Sequence, residues 1–331
     1  MRRLGQVPAL DGLRGIAILL VLACHFTGEP LGGAYGVDLF FVLSGFLITT
    51  LLLEEHSVSG RIGLGGFYMR RARRLLPALG AMLICFLVYN AIMGHDALGT
   101  VADYGLYFGN IYFVVTHQPD TTGLGHLWSL AEEEQFYLLW PLLLLLVVRA
   151  KRPLYWVTGL AVALVVYRFA LILDGASMHR LYRAPDTHSE GLVLGAALAF
   201  LRQQGFAAGE WAGKLGLVLT IPAVVAGAWN IGLPVFEIGA LLLVAAAVSD
   251  TNLANGLSVR PLVWIGALSY SLYLWHFPVL WAFHDHNRLL AFAVTVLLAW
   301  LSYRYVEQPF RRRRAASLEP AVRPSPASAP L

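Results

Sequence analysis

What most constrains this chain is a series of apolar stretches, each about as long as a bilayer is thick. An α-helix needs about 20 mostly apolar residues to cross the hydrocarbon. Ten segments meet that need: 10–27, 36–54, 76–94, 129–148, 154–173, 188–204, 213–229, 232–249, 262–283 and 288–306. The stretch 103–116 is apolar but short, and reads as a re-entrant or surface piece. Of the 331 residues, 58% are hydrophobic and 13% charged, about half the usual charge of a soluble domain. A soluble globule could neither hide that much apolar surface nor stay dispersed. The fold class that remains is all-α, a polytopic membrane protein of about ten transmembrane helices in one bundle. Cys24 and Cys85 both lie in apolar stretches and read as buried free thiols.

Lys and Arg set the expected orientation. With the N-terminus in the cytosol, the inner segments hold 18 of the 24 basic residues, and the outer loops hold only Arg180, Arg183 and Arg288. Arg14, Arg168 and Arg304 fall inside spans. The split places both termini in the cytosol. The net charge of +4 is then a topology signal, and nucleic acid drops out as a partner. Asp11, Arg14 and His25 interrupt the first span, which argues against a cleaved signal peptide. Residues 1–310 read as one integral-membrane domain. Residues 311–331 read as a basic, then Ala/Pro/Ser-rich, disordered cytosolic tail.

Ionisable groups inside spans are expensive and mark sites. Arg14 and His25 are eleven residues apart, so they share a helix face to within about 20° and stand about 16 Å apart along the axis. His25 is either a packing residue or a functional one. Ser269, Tyr273 and His276 follow i, i+4, i+7 spacing and share a face of the ninth span. Asp38 opens the second span. Glu132, Glu133 and Glu134 open the fourth, with Trp128, Ser129 and Tyr137 around them. One Glu is explained by the helix dipole, but three in succession point to different faces, and at least one is expected on a site. Arg168 could pair with one of them. Arg70, Arg73 and Arg74 share a helical face, with Arg71 beside them. This basic run suits anionic lipid or a bidentate phosphate clamp. Arg304 and Glu307 could line the same mouth or form an ion pair. His284-Asp285-His286 lacks further ligands and reads as a solvated loop, so no metal is expected.

Six motifs, in order, match one family. They are Asp11-Gly12-Leu13-Arg14 with His25, Gly36 to Thr49 (GVDLFFVLSGFLIT), Arg70 to Pro77 (RRARRLLP), His126 to Pro141 (HLWSLAEEEQFYLLWP), Ser269 to Pro278 (SYSLYLWHFP) and Tyr305 to Phe310 (YVEQPF). The chain resembles the membrane-bound acyltransferase family 3, ten-helix bundles that use cytosolic acyl-CoA to acylate hydroxyls, often of sugars, at the outer face. The resemblance implies that Arg14 and His25 are essential. It implies that Arg70, Arg71, Arg73 and Arg74 serve acyl-CoA, a co-substrate rather than a tightly bound cofactor. The family has an apolar residue where Glu132 stands, so Glu133 and Glu134 are carried over, with Asp38 as second choice. It often has Arg in place of His188 and Asp in place of Glu190, a change that could tune an acceptor pocket. Some relatives add a C-terminal esterase-like domain absent from these residues. The acceptor is therefore expected to meet the membrane-domain loops or a partner.

The expected chemistry follows from the residue types. His25 serves as general base, oriented by Glu133 or Glu134, or by Asp38. Arg14 and the Arg70–Arg74 run hold the donor. Trp128, Ser129, Tyr137, Asp186, His188, Tyr273 and His276 are candidates for acceptor binding. An acyl-imidazole route is equally open. The expected setting is the inner membrane of a bacterium, with membrane lipids and a carbohydrate acceptor as partners. Two alternatives carry the same residues: a tailoring enzyme for a secreted glycosylated metabolite, and a transporter or flippase for a lipid-linked sugar.

Overall fold

A computed structural model describes residues 4–28, 32–116, 122–226, 229–284 and 286–310. It is helical throughout, with no strand among the described residues. In chain order the helices are α1 (Pro8–Thr27), α2 (Gly33–Ser59), α3 (Leu64–Ile92), α4 (Leu98–Gly105) and α5 (Gly109–Thr116). After a single 3-10 turn (Gly125–Leu127) come α6 (Trp128–Val147), α7 (Pro153–Leu173), α8 (Met178–Arg183), α9 (Pro185–His188) and α10 (Glu190–Gln203). The chain continues through α11 (Glu210–Ala226), α12 (Trp229–Ala247), α13 (Asn252–Leu257), α14 (Arg260–Ala282) and α15 (Arg288–Leu301), which runs into a π-helical stretch (Ser302–Glu307).

Local chemistry sets the helix ends. Pro8 and Pro153 occupy first turns, where a missing N–H costs nothing. Ser177, Thr251 and Asn287 cap α8, α13 and α15 by accepting backbone N–H bonds. Gly28 and Gly60 end α1 and α2 in the left-handed conformation that glycine adopts freely.

Each of the ten predicted spans falls on a helix. Among the described residues, five helical stretches are long and apolar enough to cross a membrane: Pro8–Thr27, Gly33–Ser59, Leu64–Ile92, Pro153–Leu173 and Arg288–Phe310. The sixth segment departs from expectation. Ser189 interrupts it between α9 and α10, and the 14 residues of α10 extend only about 21 Å. This helix is buried along most of its length, which makes it a central strut and explains its apolar composition. The stretch 103–116, expected as a re-entrant or surface piece, holds the end of α4 and all of α5. The turn between them has Tyr107 at φ 61°. Cys24 is only partly buried and Cys85 is exposed, correcting the expectation of two buried thiols. Cys85 lies on the outward side of α3 beside exposed Ile84, so an apolar environment there means lipid rather than core.

Small residues let the central helices approach closely. A Cβ on Gly45 of α2 would stand 1.8 Å from Leu192 O of α10, and one on Gly266 of α14 would stand 1.8 Å from Asp11 O of α1. Two buried apolar clusters result. One gathers the start of α1 with α2, the end of α6, α7, α10 and α12. The other gathers the end of α1 with α3, α14 and the start of α6. Phe40, Phe136 and Tyr182 touch both clusters, and Phe40 also lines the main pocket.

Candidate active site

The pocket is lined from α1, α2, α3, α6 and α14. Its basic end carries Arg14, Arg71 and Arg74, together with Glu133 and Tyr137. Ser44 donates a 2.6 Å hydrogen bond to Glu133. Arg71 is packed 3.5 Å above the centre of the Tyr137 ring and pairs with Glu134 at 3.4 Å. A second pocket, beside the start of α1, shares Arg14, Ser44, Arg71, Arg74 and Tyr137 with the first. The two adjoin at these residues, one beside the N-terminal end of α1 and the other within the bundle.

The other end of the pocket carries Ser129 and Tyr273. Their oxygens are 2.6 Å apart, and Tyr273 donates to His126 O at 2.5 Å. Tyr273 thereby spends its proton on the carbonyl, so Ser129 is the donor in the shared bond. Behind them stands a group of three imidazoles. The His276 ring lies 5.0 Å from both His25 and His126, and Phe277 packs on the latter two at 5.4 and 5.3 Å. His276 Nδ1 bonds Tyr273 O at 2.6 Å, and a carbonyl only accepts. In the neutral ring, Nε2 therefore carries the lone pair, and that atom is buried with no hydrogen-bond partner.

A separate polar cluster fills the space between α2, α6, α7, α10 and α12. Asp38 and His188 are both fully buried and joined at 2.6 Å. His188 also donates to Tyr182 O at 2.8 Å. Trp128 stacks on its ring at 5.3 Å. The Ser189 hydroxyl lies 3.2 Å from Glu132 and also contacts Pro185 O. Arg168 pairs with Glu190 at 3.6 Å and donates to Leu181 O and Thr187 O. The carboxyl group of Glu237 is buried beside Gly191.

These placements revise the sequence reading in several respects. The carboxylates expected to orient His25 are engaged elsewhere: Glu133 by Ser44, Glu134 by Arg71, and Asp38 by His188. The rings facing His25 are His276 and Phe277. Axial position explains this, because Glu133 and Glu134 lie about 6 and 7.5 Å further along α6 than Ser129. Arg168 pairs with Glu190 rather than with the three-Glu run. The basic helix directs Arg71 and Arg74 into the pocket, an i, i+3 pair. Exposed Arg70 bridges Glu55 at 3.3 Å, and Arg73 is exposed. Asp186 lies outside this pocket and pairs with Arg180 near the surface. Trp128 and His188 are packed into the buried cluster and do not line the pocket. Arg304 bonds Gln308, and Glu307 accepts from Ser271. The loop at 284–286 includes a residue outside those described, and no metal-ligand group occurs among the described residues.

Two residues escaped the sequence reading as site residues. His126 was noted only as the start of a motif, and nothing local marks it as a neighbour of two other imidazoles. Glu237 had a usable signal, as a single acid within an otherwise apolar helix.

Residues 7–304 match the family described as "Acyltransferase domain". The chain is 33% identical to the peptidoglycan O-acetyltransferase OatA of Listeria monocytogenes, over 92% of this chain and 56% of that protein. It is 31% identical to the O-acetyltransferase OatA of Staphylococcus aureus, over 93% of this chain and 57% of that protein. The chain thus spans little more than half the length of these curated relatives. No solved structure matches it. Nearly the whole helical bundle, basic pocket and histidine group included, lies within the matched region, and the chain belongs to the membrane-bound acyltransferase family 3.

Proposed function

We propose that the chain moves an acetyl or other short acyl group from cytosolic acyl-CoA to a hydroxyl of a carbohydrate acceptor in the bacterial envelope. The reading includes ten crossings of the inner membrane with both termini in the cytosol. One observation carries it: a single pocket runs from Arg14, Arg71 and Arg74 to Ser129 and Tyr273; the three histidines do not line it, but His126 and His276 pack against the Tyr273 ring at its far end. The basic end suits the phosphates of CoA. The pantetheine arm would follow the pocket and bring the thioester to the histidines. The relatives named for peptidoglycan O-acetylation support the glycan acceptor.

The chemistry balances within this chain. His25 takes the proton of the acceptor hydroxyl while the oxygen attacks the thioester carbonyl. The new C–O bond forms, the C–S bond breaks, and the same proton is returned to the departing thiolate. His276, 5.0 Å away, supplies a second imidazole along that route. Purified protein in liposomes, given acetyl-CoA labelled in the acetyl group and soluble glycan fragments, should transfer label to the glycan. Transport of a lipid-linked sugar with no CoA dependence would instead favour the flippase alternative. Mass spectrometry of envelope glycans and secreted metabolites from a deletion strain separates envelope acetylation from metabolite tailoring.

A further inference from the structure

A second opening reaches the basic end of the pocket from the side. It is a groove between α3, α6 and the α4–α5 turn, and it shares Arg71, Leu75 and Tyr137 with the main pocket. Its outer rim is apolar: Leu76, Leu106, Phe108 and Leu138 are each half or more exposed. Its floor is polar. Arg71 and Glu134 meet there, and Gln135 donates to Tyr107 O at 2.8 Å while pairing with Asn110.

Three observations point to an occupant. Irregular backbone at membrane depth is tolerated where it lines a cavity, and the α4–α5 turn does so with Tyr107 held in the left-handed region. Such strain persists where the surroundings over-determine it. Here the Gln135–Asn110 pair fixes the turn on both sides. Arg71 Nε is buried with no hydrogen-bond partner, although its Nη2 is paired with Glu134. A buried cationic N–H without an acceptor is costly, and an incoming anion would satisfy it.

We infer that this groove binds a bilayer phospholipid with an anionic head group, its phosphate at Arg71 and one chain along the apolar rim. The geometry separates this occupant from the acyl donor. In acyl-CoA the pantetheine arm lies between the phosphates and the acyl chain. Here the apolar groove begins directly at the arginine, which suits a chain joined to its phosphate. The inference shares Arg71 with the proposed acyl-donor site, so lipid and CoA phosphates compete for that side chain, while the apolar rim belongs to the groove alone.

The test is native mass spectrometry of the detergent-purified full chain titrated with phosphatidylglycerol or phosphatidylcholine. Both lipids offer a phosphate to Arg71, but choline adds a cation beside it, so the anionic lipid should be retained about tenfold better. Phe108→Asp should abolish that preference. Val162→Asp, at an exposed position on α7, should leave it intact. Millimolar inorganic phosphate should not displace the lipid; full displacement would reduce the groove to a simple anion site and overturn the inference. Equal retention of both lipids, or equal effects of the two variants, would also overturn it. Should Phe108→Asp fail to fold, a benzophenone side chain at 108 should crosslink phosphatidylglycerol in preference to phosphatidylcholine. The same probe at 162 should show no preference, and matching yields at both positions would refute the site.

Discussion

The His25 ring from α1 and the His276 ring from α14 stand 5.0 Å apart, tilted by 39°. Two imidazolium cations that close in a poorly hydrated site repel strongly, so the pair accepts at most one added proton. That arrangement fits a proton taken from one substrate atom and returned to another. His25→Ala should reduce acyl transfer by about 10²- to 10⁴-fold, the usual worth of a general base, with unchanged thermal unfolding. The check is label transfer from acetyl-CoA by purified protein. Retained turnover removes His25 from the chemistry.

Arg71 makes a different prediction because it is held by two partners, the Tyr137 ring and Glu134. A lysine keeps the charge but loses the planar stacking and the second donor. Arg71→Lys should therefore raise the KM for acyl-CoA by about tenfold, one charge-assisted contact, while kcat changes less. Donor-concentration series on wild type and variant would measure the split. An unchanged KM would place the CoA phosphates elsewhere.

The helical bundle was legible because hydropathy and the long apolar runs depend only on local sequence. Arg14 and His25 were legible as a pair because both sit on one helix, where spacing fixes the face. Relations between helices were not legible. Asp38 and His188 are 150 positions apart in the chain, and no periodicity links them. The three-Glu run looked like one feature, yet each acid turns to a different neighbour: Glu132 to Ser189, Glu133 to Ser44 and Glu134 to Arg71. Consecutive helical residues diverge by about 100°, so a run of acids announces several sites without naming any partner.

The buried Asp38–His188 pair predicts a stability effect distinct from catalysis. Removing one partner leaves the other group buried without its bond, which costs about 3–5 kcal/mol in a buried ion pair. His188→Ala should therefore lower the unfolding temperature sharply. The double variant Asp38→Asn, His188→Gln, which substitutes a neutral amide pair, should recover part of the loss. Thermal scans of the single and double variants in one detergent provide the comparison. Full additivity of Asp38→Asn and His188→Gln would show that the two side chains are not coupled.

The close approach of α2 and α10 predicts that Gly45 tolerates no side chain. A Cβ there would stand 1.8 Å from Leu192 O and 2.9 Å from Leu192 Cα. These are backbone atoms of a central helix and cannot swing aside as a side chain could. Gly195 faces the same contact from α10, where a Cβ would meet Val42 O at 2.1 Å. Alanine at either position must push the helices apart, an overpacking cost of about 1–3 kcal/mol or more. The displacement would also reach the site, because Ser44 adjoins Gly45 and holds Glu133. Gly45→Ala should thus lower both thermal stability and acyl transfer. Gly80→Ala, on α3 where a Cβ meets nothing within 4 Å, should lower neither and provides the matched control. Equal behaviour of the two variants would mean that α2 and α10 are not in glycine-mediated contact.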